Sequence, residues 1–267
     1  MADDLALELG ADVYGAVPGV YVNADGPKKS ISSPGAGNYL TLAKAVGLAR
    51  SLLGDEAVQQ RSFLQAHGSS TPQNRVTESR IFDCIAEAFG IRQWPVAAVK
   101  AYLGHSLGAA SGDQLACSLG VFAQGLLPGI KTIDGLADDV YAQRLQISRE
   151  DQNLGVQNCQ VAFLNSKGFG GNNASAAVFS PEVTEGFLGK RYGKLRISAY
   201  RQKRDTTRER SAKYVAEADK AQYSPIYAFG QAMIAEESIK ISTDSLELPG
   251  FCQPIKLNLT EGYDDEF

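Results

Sequence analysis

Apolar and polar positions alternate between two periods along the chain, and the change of period marks the elements. Residues 13–22 carry Val13, Tyr14, Val17, Val20 and Tyr21 among glycine and proline, a β-rich pattern, and a loop rich in Lys, Ser, Pro and Gly follows. From Asn38 the period becomes helical: Tyr39, Leu42, Val46, Ala49 and Leu53 share one face, and Gly54 ends the run. A short apolar strand over 62–66 delivers His67. Thr71-Pro72 then opens a helix, with proline at a first position where its missing N–H costs nothing. Ile81, Ile85 and Phe89 repeat along its buried side until Gly90. A strand over 94–100 feeds a loop carrying His105, and a helix over about 108–125 is lined with Ala, Ser and Gly, a composition that predicts unusually close packing. Two more strands, 160–165 and 173–179, flank Lys167-Gly-Phe-Gly-Gly. Five strands alternating with helices predict an α/β fold with a mixed sheet.

After Pro181 the composition shifts. Lys and Arg crowd 190–213, and the chain ends in the acidic run Glu261-Gly-Tyr-Asp-Asp-Glu-Phe. The reading is a body over 1–181 and a basic, partly helical extension over 182–267.

The 267 residues, 44% of them apolar, are ordinary for a globular protein, and no apolar run is long enough to span a bilayer. The acidic N-terminus lacks signal-peptide architecture. A formal charge of -4 argues against a general nucleic-acid binder. Cys84, Cys117, Cys159 and Cys252 are scattered without a Cys-x-x-Cys pair, which speaks against zinc or a disulfide framework and for reduced thiols in the cytoplasm. No metal and no cofactor is expected.

The chain has only two histidines, His67 in Ala-His-Gly-Ser-Ser-Thr-Pro and His105 in Leu-Gly-His-Ser-Leu-Gly-Ala-Ala, each in a glycine- and serine-rich motif after a strand. Matching contexts point to one shared site. Gly104-His-Ser-Leu-Gly108 fits the Gly-x-Ser-x-Gly elbow of serine hydrolases, yet that fold requires a histidine after the serine, and none follows Ser106. Gly168-Phe-Gly-Gly171 runs into a strand, so it reads as a tight turn presenting N–H groups to an oxyanion rather than a dinucleotide loop. Cys117 falls inside the third long helix and reads as a core residue. Lys100 and Glu78 lie near the histidine motifs, and they read either as a partly buried ion pair that orients the site or as exposed charges on unrelated surfaces, between which spacing does not decide.

Together, His67-Gly-Ser-Ser-Thr-Pro72, Lys100-Ala-Tyr-Leu-Gly-His-Ser-Leu-Gly-Ala-Ala110 and Asn165-Ser-Lys-Gly-Phe-Gly-Gly-Asn-Asn173 resemble, in order and spacing, the C-terminal half of β-ketoacyl-acyl-carrier-protein synthases, thiolase-fold condensing enzymes. The resemblance covers about residues 10–180. It implies a decarboxylative Claisen condensation of an acyl thioester with malonyl-carrier thioester in fatty acid or polyketide synthesis. His67 and His105 would donate to the malonyl thioester carbonyl, with Lys100 behind them. Glu78 and Asn165 would support them, Ser69 and Thr71 would hold the pantetheine arm, and Phe169 would gate the pocket and lend its backbone N–H to the oxyanion hole. It further implies an acyl carrier protein partner, acyl-CoA or acyl-carrier and malonyl-carrier substrates, a homodimer, and a nucleophilic cysteine in an N-terminal half outside these residues. The chain departs from the family in having Lys167 for a phenylalanine, which implies altered gating or an added charge, and Asn74-Arg75 for Gly-Asp. The alternatives are a non-catalytic subunit resembling chain-length factors, against which both retained histidines argue, and a thiolase acting on CoA substrates. The basic extension reads as a docking surface for the acidic carrier protein, or else as a solvated helix face.

Overall fold

The computed structural model describes residues 2–26, 34–226, 229–231 and 233–257. Most of the loop after the first strand and the acidic terminal run lie outside them. The residues divide into two compact units, Met1–Glu209 and Arg210–Phe267.

In the first unit, helix α1 (Asp3–Leu9) precedes strand β1 (Ala16–Ala24), and helices α2 (Ala36–Leu53) and α3 (Asp55–Gln60) lead to β2 (Ser62–Gln65). Helix α4 (Pro72–Phe89), β3 (Trp94–Ala97), the single-turn α5 (Lys100–Leu103) and α6 (Ala110–Gln124) follow. Short strands β4 (Leu126–Leu127), β5 (Leu145–Ile147) and β6 (Gln152–Asn153) then lead to the hairpin β7 (Val161–Gly168) and β8 (Asn172–Phe179). Helix α7 (Pro181–Asp219) closes the unit and is broken at Gly193, where φ is 81° and ψ 161°.

The main sheet runs β1-β8-β7-β2-β3-β5. Strand β2 is parallel to both β7 and β3, and β5 is parallel to β3, whereas β8 pairs antiparallel with β7 and β1. The mixed sheet is as expected, but it has six strands rather than five. The sixth, β5, has three residues in a turn-rich stretch and exists only through its pairing with Trp94–Val96. Strand β3 is also shorter than the apolar run suggests. Lys100 begins α5 instead of ending the strand.

Helices α2 and α4 cover one sheet face, burying Leu42, Val46, Ile81 and Ile85 against Phe163 and Trp94. Helix α6 covers the other with Val121 and Phe122 on Phe63. Phe63, Trp94 and Phe163 are fully buried, each contributing about 2–3 kcal/mol by leaving water. Every residue of β2 is buried because sheet and helices enclose it from both faces. The parallel strands all deliver their C-terminal ends to one edge, where the histidine loops begin. The close packing expected of α6 does not extend to its small residues: Gly112, Ala116 and Gly120 lie outward, and a Cβ at Gly112 or Gly120 would meet nothing within 4 Å.

The compact unit around the sheet includes residues 182–209 of the expected extension. Leu188, Ile197 and Tyr200 of α7 bury themselves with Leu7 of α1, and the Tyr200 hydroxyl donates to the Ala11 carbonyl at 3.0 Å. The basic residues expected to form a docking surface are largely engaged within the unit. Arg201 and Arg204 both pair with Glu185, Arg208 with Asp12 and Arg191 with Asp3, while Lys203 donates to the Glu8 carbonyl. The second unit carries the last turns of α7 and a small antiparallel sheet of β9 (Lys240–Ile241), β10 (Ser245–Glu247) and β11 (Ile255–Lys256).

Candidate active site

His67 follows β2 on a tight loop. Gly68 there has φ +54°, and a Cβ would stand 2.9 Å from that of Ala98, so glycine meets both the conformation and the close approach. Ser70, two residues on, also has positive φ, an uncommon conformation for a residue with a side chain. Thr71 then caps α4, its hydroxyl accepting from Asn74 N–H.

Glu78, about two turns further into α4 and only 3% exposed, fixes this loop from beneath. Its carboxylate accepts four hydrogen bonds: His67 N–H at 2.7 Å, Gly68 N–H at 3.0 Å, Asn74 Nδ2 at 2.9 Å and Asn165 Nδ2 at 2.8 Å. The ion pair between Glu78 and Lys100 is not formed. Lys100 instead donates to the His67 carbonyl at 2.6 Å and approaches His67 Nδ1 at 3.5 Å. Glu78 and Lys100 hold the two ends of the same peptide unit. Burial draws the Lys100 ammonium pKa down, while Glu78 and then Asp113 pull it back.

The His67 ring is 2% exposed. Its Nδ1 accepts from the Lys167 backbone N–H at 3.2 Å, which places the ring hydrogen on Nε2. Burial, then the positive charge of Lys100, lowers its pKa from 6.5 to about 3, with smaller contributions from His105 and Lys167. His105 lies exposed after Gly104, and its Nδ1 accepts from Leu107 N–H at 3.1 Å, again leaving hydrogen on Nε2. Burial and then Lys100 lower its pKa too. The two rings meet edge-on, centroids 5.1 Å apart. The site therefore presents two neutral imidazoles, each a donor through Nε2. That suits stabilising a developing oxyanion better than abstracting a proton.

The hydrolase reading fails in the structure as in the sequence, because the Ser106 hydroxyl donates to Asp113 and the His105 Nδ1 beside it is taken by a backbone N–H. Asn165 joins the Glu78 hydrogen-bond network. It donates to Glu78 while its Oδ1 accepts from Asn38 Nδ2 at 2.6 Å and Ser175 Oγ at 3.0 Å. Ser69 lines a cavity of about 390 Å³ with Gly68, Lys100, Gly104 and His105, whereas Thr71 is committed to the helix cap and lies outside that lining. Phe169 sits in the turn between β7 and β8 with its side chain 66% exposed, and Gly170 and Gly171 beside it have φ of 74° and 82°.

Two supporting residues escape a sequence reading. Asn38 is fully buried at the start of α2, and Gln114 on α6 donates through Nε2 to the carbonyls of Ala66 at 2.8 Å and Asn165 at 2.9 Å, tying the ends of β2 and β7 together. The only sequence signal is an amide on an otherwise small and apolar helix face.

None of the cysteines joins this cluster. Cys117 accepts from Gln65 and burial raises its thiol pKa, Cys159 is pushed up to about 11 by burial, and Cys84 and Cys252 are exposed. Among the described residues no group of acidic, histidine or cysteine side chains could hold a metal ion, and no helix is long and apolar enough to cross a membrane.

Residues 14–134 match the family described as beta-ketoacyl synthase, C-terminal domain. The chain is 55% identical over 255 residues to the beta-ketoacyl-[acyl-carrier-protein] synthase FabY of Pseudomonas aeruginosa, covering 96% of this chain and 40% of the relative. It is 33% identical over 174 residues to a 3-oxoacyl-[acyl-carrier-protein] synthase 2 of Synechocystis, covering 64% of this chain and 39% of that one. The crystal structure of the ketosynthase FabY from P. aeruginosa superposes with a TM-score of 0.88 at 53% identity, over 99% of this chain and 42% of that one. The chain thus spans about 40% of the length of the relatives it matches. With FabY the likeness reaches past residue 180 through the extension, further than the three motifs alone indicate.

Proposed function

The chain belongs to the β-ketoacyl synthase family, whose C-terminal domain it carries, and from that premise we propose that it forms the part of a 3-oxoacyl-carrier-protein synthase that binds and decarboxylates the malonyl thioester. The observation that carries this reading is the pair of neutral imidazoles, each with Nδ1 satisfied by a backbone N–H and Nε2–H presented. In the proposed step the malonyl thioester carbonyl accepts from both Nε2–H groups. The bond between the carboxylate and the α-carbon breaks, CO2 leaves, and the electron pair moves through the α-carbon onto the thioester oxygen as an enolate. The enolate carbon then attacks an acyl thioester, forming the new C–C bond and expelling the cysteine thiolate. Charge on the oxygen grows mainly in the transition state, so fixed donors lower the barrier more than they tighten substrate binding. Lys100 and Glu78 keep the first donor in place, and Ser69 at the cavity mouth is suited to the pantetheine arm. The Phe169 backbone keeps the role the family motifs suggest, while the Thr71 oxygen caps α4 and leaves its part in holding the arm to be shared with Ser69.

The nucleophilic cysteine is proposed to come from residues other than the four cysteines here. On incubation with radiolabelled acyl-CoA this chain should form no stable thioester at Cys84, Cys117, Cys159 or Cys252. A stable label on Cys117 would overturn that assignment. The exposed Tyr102, Leu103 and Leu107 around His105 favour a site completed by further protein.

The finer expectations remain part of this proposal: a cytoplasmic homodimer, its ketoacyl synthase body ending near 181, served by acyl and malonyl thioesters of an acidic carrier protein. For carrier docking the structure shifts attention from Arg201 and Arg204, committed to Glu185, to Lys190, Lys194 and Arg196. Replacing these three with alanine should weaken carrier binding at low salt by roughly tenfold and flatten its salt dependence. Unchanged binding by surface plasmon resonance would count against docking here.

A further inference from the structure

Strands β2 and β7 run in register only as far as Gln65 and Leu164. Just beyond, Ala66 N–H turns to β3 and donates to the Ala97 carbonyl at 2.8 Å, so the ladder between β2 and β7 ends before it reaches His67 and Lys167. A side chain ties the ends instead. Gln114 of α6, fully buried, donates through Nε2 to the Ala66 carbonyl at 2.8 Å and the Asn165 carbonyl at 2.9 Å, with the Gln65 carbonyl at 3.3 Å. We propose that Gln114 is a positioning residue for the decarboxylation, setting the gap across which His67 Nδ1 accepts from the Lys167 backbone N–H and so keeping the ring hydrogen on Nε2.

Both carbonyls lie in the backbone just before the bonded pair. The Ala66 carbonyl shares a peptide unit with the His67 N–H, which donates to Glu78 at 2.7 Å. The Asn165 carbonyl lies two residues before the Lys167 N–H, which His67 Nδ1 meets at 3.2 Å. The Gln114 amide has one orientation here, because carbonyls only accept and its NH2 must face them, while its Oε1 accepts from Ser166 Oγ at 3.1 Å. With that hydrogen used, Ser111 Oγ is the donor to Ser166 Oγ at 2.9 Å. Glu78 and Lys100 hold the His67 loop, and Asn165 reaches Glu78 through its side chain, but Gln114 bridges the β2 and β7 backbones themselves. An apolar side chain of the same length would leave two buried carbonyls without this donor, and the strand ends would shift to find others. The loop would stay on Glu78 and Lys100 while the ring lost the fixed N–H that selects its tautomer. The catalytic role rests on the function proposed above; the spacing does not.

The experiment is NMR of the full chain with ¹⁵N-labelled histidine near neutral pH, where the two ring nitrogens report the tautomer of each of the two imidazoles, assigned with His105→Asn. In Gln114→Met the ratio of the Nε2–H to the Nδ1–H tautomer at His67 should fall at least about fivefold, the worth of one ordinary hydrogen bond. His105 should not change, because its Nδ1 accepts from Leu107 within its own loop. Val121→Ala, which opens a cavity under the same helix, should lower the urea midpoint and leave the His67 tautomer as it was. Should Gln114→Met not fold, Ser166→Ala frees the amide to turn and should lower the same ratio at least about twofold. A smaller fall in the variant measured overturns the proposal, as does Val121→Ala moving His67 as far as that variant does. No substrate or nucleophile enters this measurement, so its failure leaves the decarboxylation reading intact, and loss of that reading leaves the tautomer result standing.

Discussion

Replacing either His67 or His105 with alanine is expected to slow malonyl-thioester decarboxylation by about 10²–10³-fold, the usual loss when one donor to a developing oxyanion is removed. The assay is release of labelled CO2 by a hybrid in which this chain replaces the matching region of the FabY synthase it resembles at 55% identity. Both donors point at one oxygen, so the double variant should lose much less than the product of the single losses. His105→Gln keeps an N–H donor at nearly the same reach and should retain more rate than His105→Ala. A proton on Nδ1 would break the backbone N–H bond that orients each ring, so the rate should fall where either ring gains a proton. For His67 that lies far below neutrality, its pKa being lowered to about 3 by burial and the Lys100 charge. A His105→Ala hybrid within about tenfold of the parent rate would remove the donor-pair mechanism.

The second large effect is on stability and concerns Glu78. Glu78→Ala should cost on the order of 3–5 kcal/mol, read as a shift in the urea midpoint at unchanged slope. Four donors lose their acceptor at once, two of them backbone N–H groups of the His67 loop that no side-chain movement can satisfy. The Lys100 ammonium also loses its nearest balancing carboxylate in a buried setting. Glu78→Gln retains one oxygen but turns an NH2 toward a donor, so its loss should be substantial and smaller. A Glu78→Ala loss under about 1 kcal/mol would mean that the network does not hold the loop.

Much of this architecture was legible along the chain because its signals are local. The apolar run ending at Gln65, the Thr71 cap with Pro72, and the spacing of Ile81, Ile85 and Phe89 each depend on residues a few positions apart. Strand β5 left no such signal. Three residues in a parallel strand are defined by the neighbour they pair with. Lys100 read as the end of a strand because an apolar run cannot say where the backbone turns helical.

The site divides in the same way. The motifs put the right side chains at fixed spacings, and so the sequence by itself determined the chemistry: two imidazoles, a lysine, a glutamate and an asparagine near strand ends. Which of them touch was decided only by the tertiary structure. Glu78 and Lys100, opposite charges each near a histidine motif, looked like partners but hold opposite ends of the His67–Gly68 peptide unit. Asn38 and Gln114 carry no periodic signal, since a buried amide is explained only by the carbonyls and carboxamides brought to it from distant segments. The Lys and Arg density of 190–213 was plain in the sequence, but the pairing of Arg201 and Arg204 with Glu185 needed the break in α7 at Gly193, and that of Arg208 with Asp12 and Arg191 with Asp3 needed α7 laid against the N-terminal segment. Residue type and spacing are covalent facts that a sequence carries. Hydrogen-bond partnership, charge balance and tautomer are set through space, and folding alone supplies the distances.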